Sequence, residues 1–196
     1  MSHELRTPLN AIIGFTGTLL MKLPGPLTAD QDKQLRTVQA SAKHLLALIN
    51  DLLDLAKIDS GRVELHMEPV LVPQVVQEVM ESLRPLATAK GLTIDSIIPG
   101  EVPPIETDRR ALSQILINLV NNAIKFTASG QVRIEVAADH SAPGEAVRIK
   151  VVDTGCGITA EQHSRLFRPF DRGGGIAARR TEGTGLGLHL SWRLAQ

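Results

Sequence analysis

Two runs of apolar residues near the start of the chain constrain its fold more than any other feature. Leu5, Leu9, Ile12 or Ile13, Thr16, Leu19 and Leu20 recur every three or four positions. Leu35, Val38, Ala42, Leu45, Leu48 or Ile49, Leu52 and Leu55 or Ala56 follow a near-heptad spacing to about Ile58. Such spacing lays an apolar stripe along one face of a helix. Leu23-Pro24-Gly25-Pro26 stops the first helix, and Thr28 with Gln31 forms a capping-box pattern that starts the second. Pro8 removes an amide donor within the first run and predicts a bend near its first turns. So short a connection makes the two helices antiparallel neighbours. Two helices cannot cover both stripes, so the hairpin is expected to dimerise into a four-helix bundle. Packing of the stripes on the rest of the same chain is the alternative.

The helical pattern breaks at Asp59-Ser60-Gly61-Arg62, which divides the chain into a hairpin over 1–60 and a second domain over 61–196. Val63 to His66 alternates like a strand, Val72 to Lys90 reads as a helix ended by Gly91, and Leu92 to Ile98 reads as a strand. Asp108 to Phe126 is helical, capped by Thr107 or Asp108. Gln131 to Ala137 and Ala146 to Val152 are β-rich, with a hairpin expected through Ser141-Ala142-Pro143-Gly144. A short helix over Thr159 to Phe167 and another from Leu186 onward complete the order. The fold class is therefore α+β: a helical hairpin, then an α/β sandwich with a mixed sheet covered by helices on one face.

Composition removes several function classes. Lys+Arg 21 against Asp+Glu 21 gives a net charge of +0, and aromatic residues make up only 3%. Neither a polyanion-binding surface nor a base-stacking platform fits, so no nucleic-acid partner is expected. The single Cys156 excludes an internal disulfide and a cysteine-built zinc site, which suits a reducing, cytoplasmic setting. The apolar stretch around Leu45 to Leu55 is broken by Asn50, Asp51 and Asp54 and is too short and polar to span a bilayer. No membrane contact is expected of this segment.

Four motifs carry chemistry. In Ser2-His3-Glu4-Leu5-Arg6-Thr7-Pro8, His3 and Thr7 are i and i+4 neighbours on a helix, and a carboxylate stands beside the imidazole. A neutral imidazole nitrogen is a good nucleophile near neutral pH, and an adjacent acid–base group can manage its proton. In Asn118-Leu119-Val120-Asn121-Asn122-Ala123-Ile124-Lys125, Asn118 and Asn122 share a helix face with Lys125 one turn on. Two amide oxygens can ligate Mg2+ already bound to phosphates, and Lys125 can meet the phosphate charge.

In Val151-Val152-Asp153-Thr154-Gly155-Cys156-Gly157, a buried strand is expected to deliver Asp153 into a glycine turn where backbone approaches a flat ligand. An ionised carboxylate only accepts hydrogen bonds, so Asp153 suits an exocyclic amine better than a phosphate. Two look-alikes stay open here. Gly155-x-Gly157-x-x-Ala160 imitates a dinucleotide fingerprint, though without an acidic residue about 20 positions on. Asp-Thr-Gly imitates an aspartic-protease strand, which needs a second such carboxylate. Last, Phe167 and Phe170 precede a Gly-, Ala- and Arg-rich loop and then Gly183-Thr184-Gly185-Leu186-Gly187-Leu188. Glycines at a helix start leave amides for phosphate oxygens, and the loop reads as a lid over a nucleotide. No Gly-x4-Gly-Lys-Ser/Thr loop is present.

Taken in order, these motifs resemble a sensor histidine kinase of two-component signalling: an H box at Ser2 to Asn10, an N box at Asn118 to Thr127, and two glycine boxes flanking an F box. The resemblance implies a dimeric bundle bearing phosphoacceptor His3, and an ATP-binding domain of the gyrase and chaperone type. It further implies ATP and Mg2+ as ligands, a response-regulator receiver domain as partner, and phosphotransfer from His3 to that partner's aspartate. By the same resemblance Glu4 assists as acid or base, and Thr7 positions water when the bundle acts as a phosphatase. Asn122 and Asn118 meet the metal, Lys125 the phosphates, and Asp153 reads adenine in a pocket shaped by Gly155 and Gly157. Gly183, Thr184, Gly185, Leu186 and Gly187 hold the phosphate side, with Arg172 reaching the γ-phosphate from the lid edge. ATP-hydrolysing relatives carry a glutamate base where Asn118 stands, and an amide cannot take a proton from water. Hydrolysis is therefore expected to be slow and the phosphoryl group saved for His3. Compared with the family, the chain is expected to lack the turns before His3, any sensor or membrane-anchoring segment, and the strands that follow the last helix. Two other readings of the chain stand beside it: a phosphatase-dominant or catalytically silent module that docks a receiver domain on the helical bundle, and a protease-like hydrolase.

Overall fold

A computed structural model describes residues 2–59, 64–98, 100–139, 146–171 and 184–196, the first two and residue 59 by backbone only. The hairpin consists of α1 (Ser2–Leu20) and α2 (Ala29–Asp59), and α1 runs on through Pro8. The predicted capping box forms: Thr28 N donates to Gln31 Oε1 at 2.9 Å and Gln31 N to Thr28 Oγ1 at 3.2 Å. Leu9, Thr16 and Ala42 are buried between the helices. Thr16 Oγ1 donates to the carbonyl of Ile12 at 2.6 Å, so its hydroxyl is satisfied within the apolar seam. Near the open end, Arg6 Nε donates to Asn50 Oδ1 at 2.9 Å and ties α1 to α2.

The second half has strand β1 (Glu68–Val70), helix α3 (Val72–Ala89), strands β2 (Thr93–Ile97) and β3 (Ile105–Thr107), and helix α4 (Arg109–Phe126). Strands β4 (Gln131–Ala138) and β5 (Val147–Asp153), the single turn α5 (Ala160–His163) and helix α6 (Gly187–Leu194) follow. Among the described residues the main sheet has the order β2-β4-β5. Strands β2 and β4 run parallel, with Thr93 opposite Gln131, and β4 and β5 antiparallel, with Val132 opposite Asp153. Helices α3 and α4 cover one face. Val132, Ile134 and Val136, every second residue of β4, pack there against Val75, Val76 and Val79 of α3 and Leu116, Val120 and Ile124 of α4. The opposite face of the sheet carries Arg133, paired with Asp95 at 3.1 Å across the parallel strands.

Two departures from expectation have identifiable causes, the first long-range and the second local. The strand expected at Val63 to His66 pairs further on, at Glu68–Val70 against Ile105–Thr107. His66 N is instead engaged by Asp108 Oδ2 at 2.8 Å, so that amide has no ladder partner to seek. Asp108 also caps α4, accepting from Arg110 N at 2.8 Å and Ala111 N at 2.9 Å. The His66 amide foremost, then those of Ala111 and Arg110, hold this buried carboxyl below the usual carboxylate range. The helix expected to reach Phe167 stops after His163. Its start is a full capping box between Thr159 and Gln162, but Ser164 Oγ bonds back to Glu161 O at 2.9 Å and Arg165 N tightens onto Gln162 O. The expected turn through residues 141–144 lies outside the described residues.

Candidate functional site

Asn118 and Asn122 project from the same face of α4, as their spacing requires, with Asn122 Nδ2 3.4 Å from Asn118 Oδ1. Leu116, Val120, Ala123 and Ile124 occupy the buried face and set the rotation of the helix. That rotation turns the Asn118 amide toward α6. Asn118 Nδ2 donates to Ser191 Oγ at 2.7 Å. Gly187 faces the same side chain so closely that a Cβ on it would collide with Asn118 Oδ1. Here glycine is needed for approach: the second glycine segment and the N box are in direct contact.

The other glycine pair lies at the C-terminal end of α4. Asp153 ends β5, and its Oδ1 accepts from Gly155 N at 2.8 Å, closing a tight turn around the carboxylate. A Cβ on Gly155 would meet the carbonyl of Phe126 and Asp153 Oδ1, each at 2.7 Å, so this turn presses on the last residue of α4. Gly157 follows at φ +70°, a left-handed conformation suited to glycine. Asp153 itself is exposed, and β5 is half-buried rather than fully buried as expected, because it is flanked only by β4 among the described residues. Lys125 stands in the last turn of α4, with its ammonium 4.8 Å from the centre of the Phe126 ring.

The F box and the second glycine segment meet directly. Phe170 N donates to Gly185 O at 3.0 Å, and a Cβ on Gly185 would press on the Phe170 backbone at 3.0 Å. His189 Nδ1 lies 2.8 Å from Phe167 O, which joins α6 to the same motif. Thr184 Oγ1 accepts from Leu186 N at 3.2 Å and donates to Asp51 Oδ2 at 2.7 Å. Leu186 is buried beneath it. The Asp51 contact joins the glycine segment to the hairpin, next to the Asn50 that holds Arg6. Burial raises the Asp51 carboxyl above its ordinary value, the Thr184 hydrogen bond opposes that rise, and Asp54 adds to it.

Of the residues predicted for the hairpin, Glu4 and Thr7 are exposed on the first turns of α1. His3 belongs to α1, but its side chain is outside the described residues, as are Arg172 and Gly183. Four contributing residues have no motif to announce them. Lys90 donates from Nζ to the carbonyls of Ile124, Lys125 and Thr127 at 2.8, 2.9 and 3.2 Å, neutralising the open end of α4 beside Gly155. A lysine just before a helix-stopping glycine was the available signal. Asp51 appears in sequence only as a polar interruption of an apolar run. Ser191 is a small polar residue among Leu188, Leu190, Trp192 and Leu194. Asp108 was expected as one of two caps, but its reach back to His66 was not.

The donor set suits a magnesium nucleotide. Amide oxygens on one helix face, with glycines packed against the middle and the last residue of that helix, offer neutral ligands and space where phosphates bring their own charge. Among the described residues no group of three or more His, Cys, Asp or Glu could hold a metal unaided. No helix among them is long and apolar enough to cross a membrane.

The fold and site thus define a helical hairpin joined to a nucleotide-binding α/β domain. Comparisons with known proteins agree in both halves. Residues 1–61 match the His Kinase A (phospho-acceptor) domain, and residues 107–196 match the histidine kinase-, DNA gyrase B- and HSP90-like ATPase family. The chain belongs to the sensor histidine kinases, with a phosphoacceptor domain followed by an ATP-binding domain. It is 43% identical over 196 residues to the histidine protein kinase DivJ of Caulobacter vibrioides, covering 100% of this chain and 32% of that one. The non-motile and phage-resistance protein of the same organism is 42% identical over 193 residues, 97% of this chain and 23% of its own length. The chain therefore spans about a quarter to a third of these relatives. Among solved structures, full-length ShkA in complex with AMPPNP superposes with a TM-score of 0.76 at 34% identity, covering 99% of this chain and 39% of that one. Acinetobacter baumannii histidine kinase AdeS gives 0.62 at 25% identity, covering 98% and 85%.

Proposed function

We propose that this chain phosphorylates itself on His3 from Mg-ATP and passes the phosphoryl group to an aspartate of a response-regulator receiver domain. The observation that carries the reading is the meeting of Asn118 with Gly187, which joins the N box to the phosphate-side glycine segment. Asp153 would accept from the adenine amine in the turn that Gly155 and Gly157 allow. Asn122 and Asn118 would hold Mg2+, and Lys125, Thr184, Gly185, Leu186 and Gly187 would line the phosphate side, joined by Gly183 and Arg172. Mg2+, when bound, offsets negative charge on the transferring group.

His3 is the nucleophile: its imidazole nitrogen forms the new bond to the γ-phosphorus as the bond to the bridging oxygen breaks and ADP leaves. Glu4, its neighbour in sequence, takes up the imidazole proton. Asn118 cannot serve as a base toward water, so the triphosphate is kept for His3 rather than spent on hydrolysis. Thr7 positions water for the reverse duty, dephosphorylation of the partner.

We further assign a homodimer through the hairpin. Leu5, Ile12, Val38, Leu45 and Leu52 repeat along it and are each 40–49% exposed in the single chain, and a second hairpin would cover them as a four-helix bundle. Phosphoryl transfer is tested by incubation with radiolabelled Mg-ATP. Acid-labile, base-stable label is expected on the wild type and none on His3→Gln; label retained at full level in that variant would overturn the assignment.

A further inference from the structure

Ser191 belongs to none of the four motifs, yet it touches the centre of the site. It is buried at 6% exposure on α6, one helical turn after Gly187, so both face α4 together. Across from them Asn118 and Asn122 are likewise one turn apart. The four residues interlock. Asn118 Nδ2 donates to Ser191 Oγ at 2.7 Å, while Asn118 Oδ1 faces Gly187 and accepts from Asn122 Nδ2 at 3.4 Å.

An asparagine side chain has a donor end and an acceptor end of nearly the same shape, and only its partners decide which points where. As found, the Ser191 oxygen accepts from the amide nitrogen and holds that end toward α6; a hydroxyl can also donate, and a cation beside Asn122, which needs oxygens, selects the sense seen here. The oxygen must then point toward Asn122 and the glycine segment. Reversing the amide would set its NH2 against the NH2 of Asn122 and turn a donor toward any cation there. The order continues one residue further: once Asn122 Nδ2 is used on Asn118, the Oδ1 of Asn122 is the end left for a ligand.

We propose that Ser191 is a positioning residue for the metal and phosphate side of the nucleotide site, fixing the orientation of the Asn118 amide and through it that of Asn122. The proposal rests on the reading of this site as one for Mg-ATP. It predicts a defect confined to the metal. In Ser191→Ala the Mg2+ concentration for half-maximal His3 labelling rises about tenfold, the low end of what removing an outer partner costs a metal site. ATP affinity measured in EDTA, which depends on the Asp153 end, stays at the wild-type value.

The test is a Mg2+ titration of labelling on the full 196-residue chain, beside calorimetric ATP binding in EDTA, for wild type, Ser191→Ala, Ser191→Thr and Ser191→Val. Thr and Val differ only by a hydroxyl in place of a methyl, so they decide the matter even where Ala fails to fold: Thr keeps the wild-type Mg2+ requirement and Val shares the defect. In an Asn118→Ala background, Ser191→Ala adds nothing further. An unchanged Mg2+ requirement in the Val variant, or equal losses with and without the metal, overturns the positioning role. A wild type that labels normally in those cases leaves the kinase reading intact, whereas a folded wild type that takes up no ATP overturns both.

Discussion

The hairpin and the α/β half bury their apolar residues in opposite ways. In the α/β half, Val72, Val75, Val76, Val120, Ile124, Val132, Ile134 and Val136 are each 0% exposed and join in one cluster. Among the described residues of the hairpin only Leu9 and Ala42 of the hydrophobic side chains are buried, while Phe15 is 73% and Leu45 48% exposed. Both halves carry strong apolar periodicity, so periodicity alone does not say where a stripe will be satisfied. A sheet with helices on one face closes its own core. Two helices have one line of contact and leave the flanks of each stripe bare. The difference assigns the halves distinct tasks, one to hold a ligand and the other to find a partner.

Three measurements press on that contrast. The largest effect is expected from Ile124→Ala, which leaves a cavity between α4 and the sheet and costs about 2–5 kcal/mol in urea unfolding at any protein concentration. A cost below about 1 kcal/mol would mean that this core is not the one holding the domain. Next, the wild-type hairpin transition should move to higher temperature as protein concentration rises, since association adds stability by mass action. Leu45→Ala combined with Leu52→Ala should remove that dependence and leave ATP binding as it was; a wild type whose melting ignores concentration would erase the contrast. The smallest effect concerns the joint between the halves. The Asp51 carboxyl is raised in the folded chain, chiefly by burial. A group raised in this way contributes stability that is present in full below its unfolded value and is lost as pH rises through the folded one. Stability should therefore decline slightly from mildly acidic pH upward, and Asp51→Asn should flatten that slope. An equal slope in the variant would assign it to other groups.

Much of this was written in the sequence, and what was hidden follows a pattern. The capping box of Thr28 and Gln31, the stop at Gly91 and the cap at Asp108 are local devices, decided by neighbours within four residues. They appear as expected. The site glycines were legible as motifs, but their reason was not: that Gly187 must leave room for Asn118, or Gly155 for the carbonyl of Phe126, depends on residues far away in the chain. β1 and β3 were misread or missed because each is short, and the pairing comes from a distant partner and from an aspartate that claims a backbone amide. Ser191, Lys90 and Asp51 were silent for the same reason. Each acts through one contact across the fold, and no spacing records it.

Asn50 and Asp51 are consecutive on α2, yet the first holds Arg6 of α1 and the second holds Thr184 of the second glycine segment. Consecutive helical positions point about 100° apart. A shaft gripped at two such bearings cannot be twisted without loosening both. Torque applied along α2 would in this way reach, across the length of one peptide unit, the glycine segment that Thr184 opens.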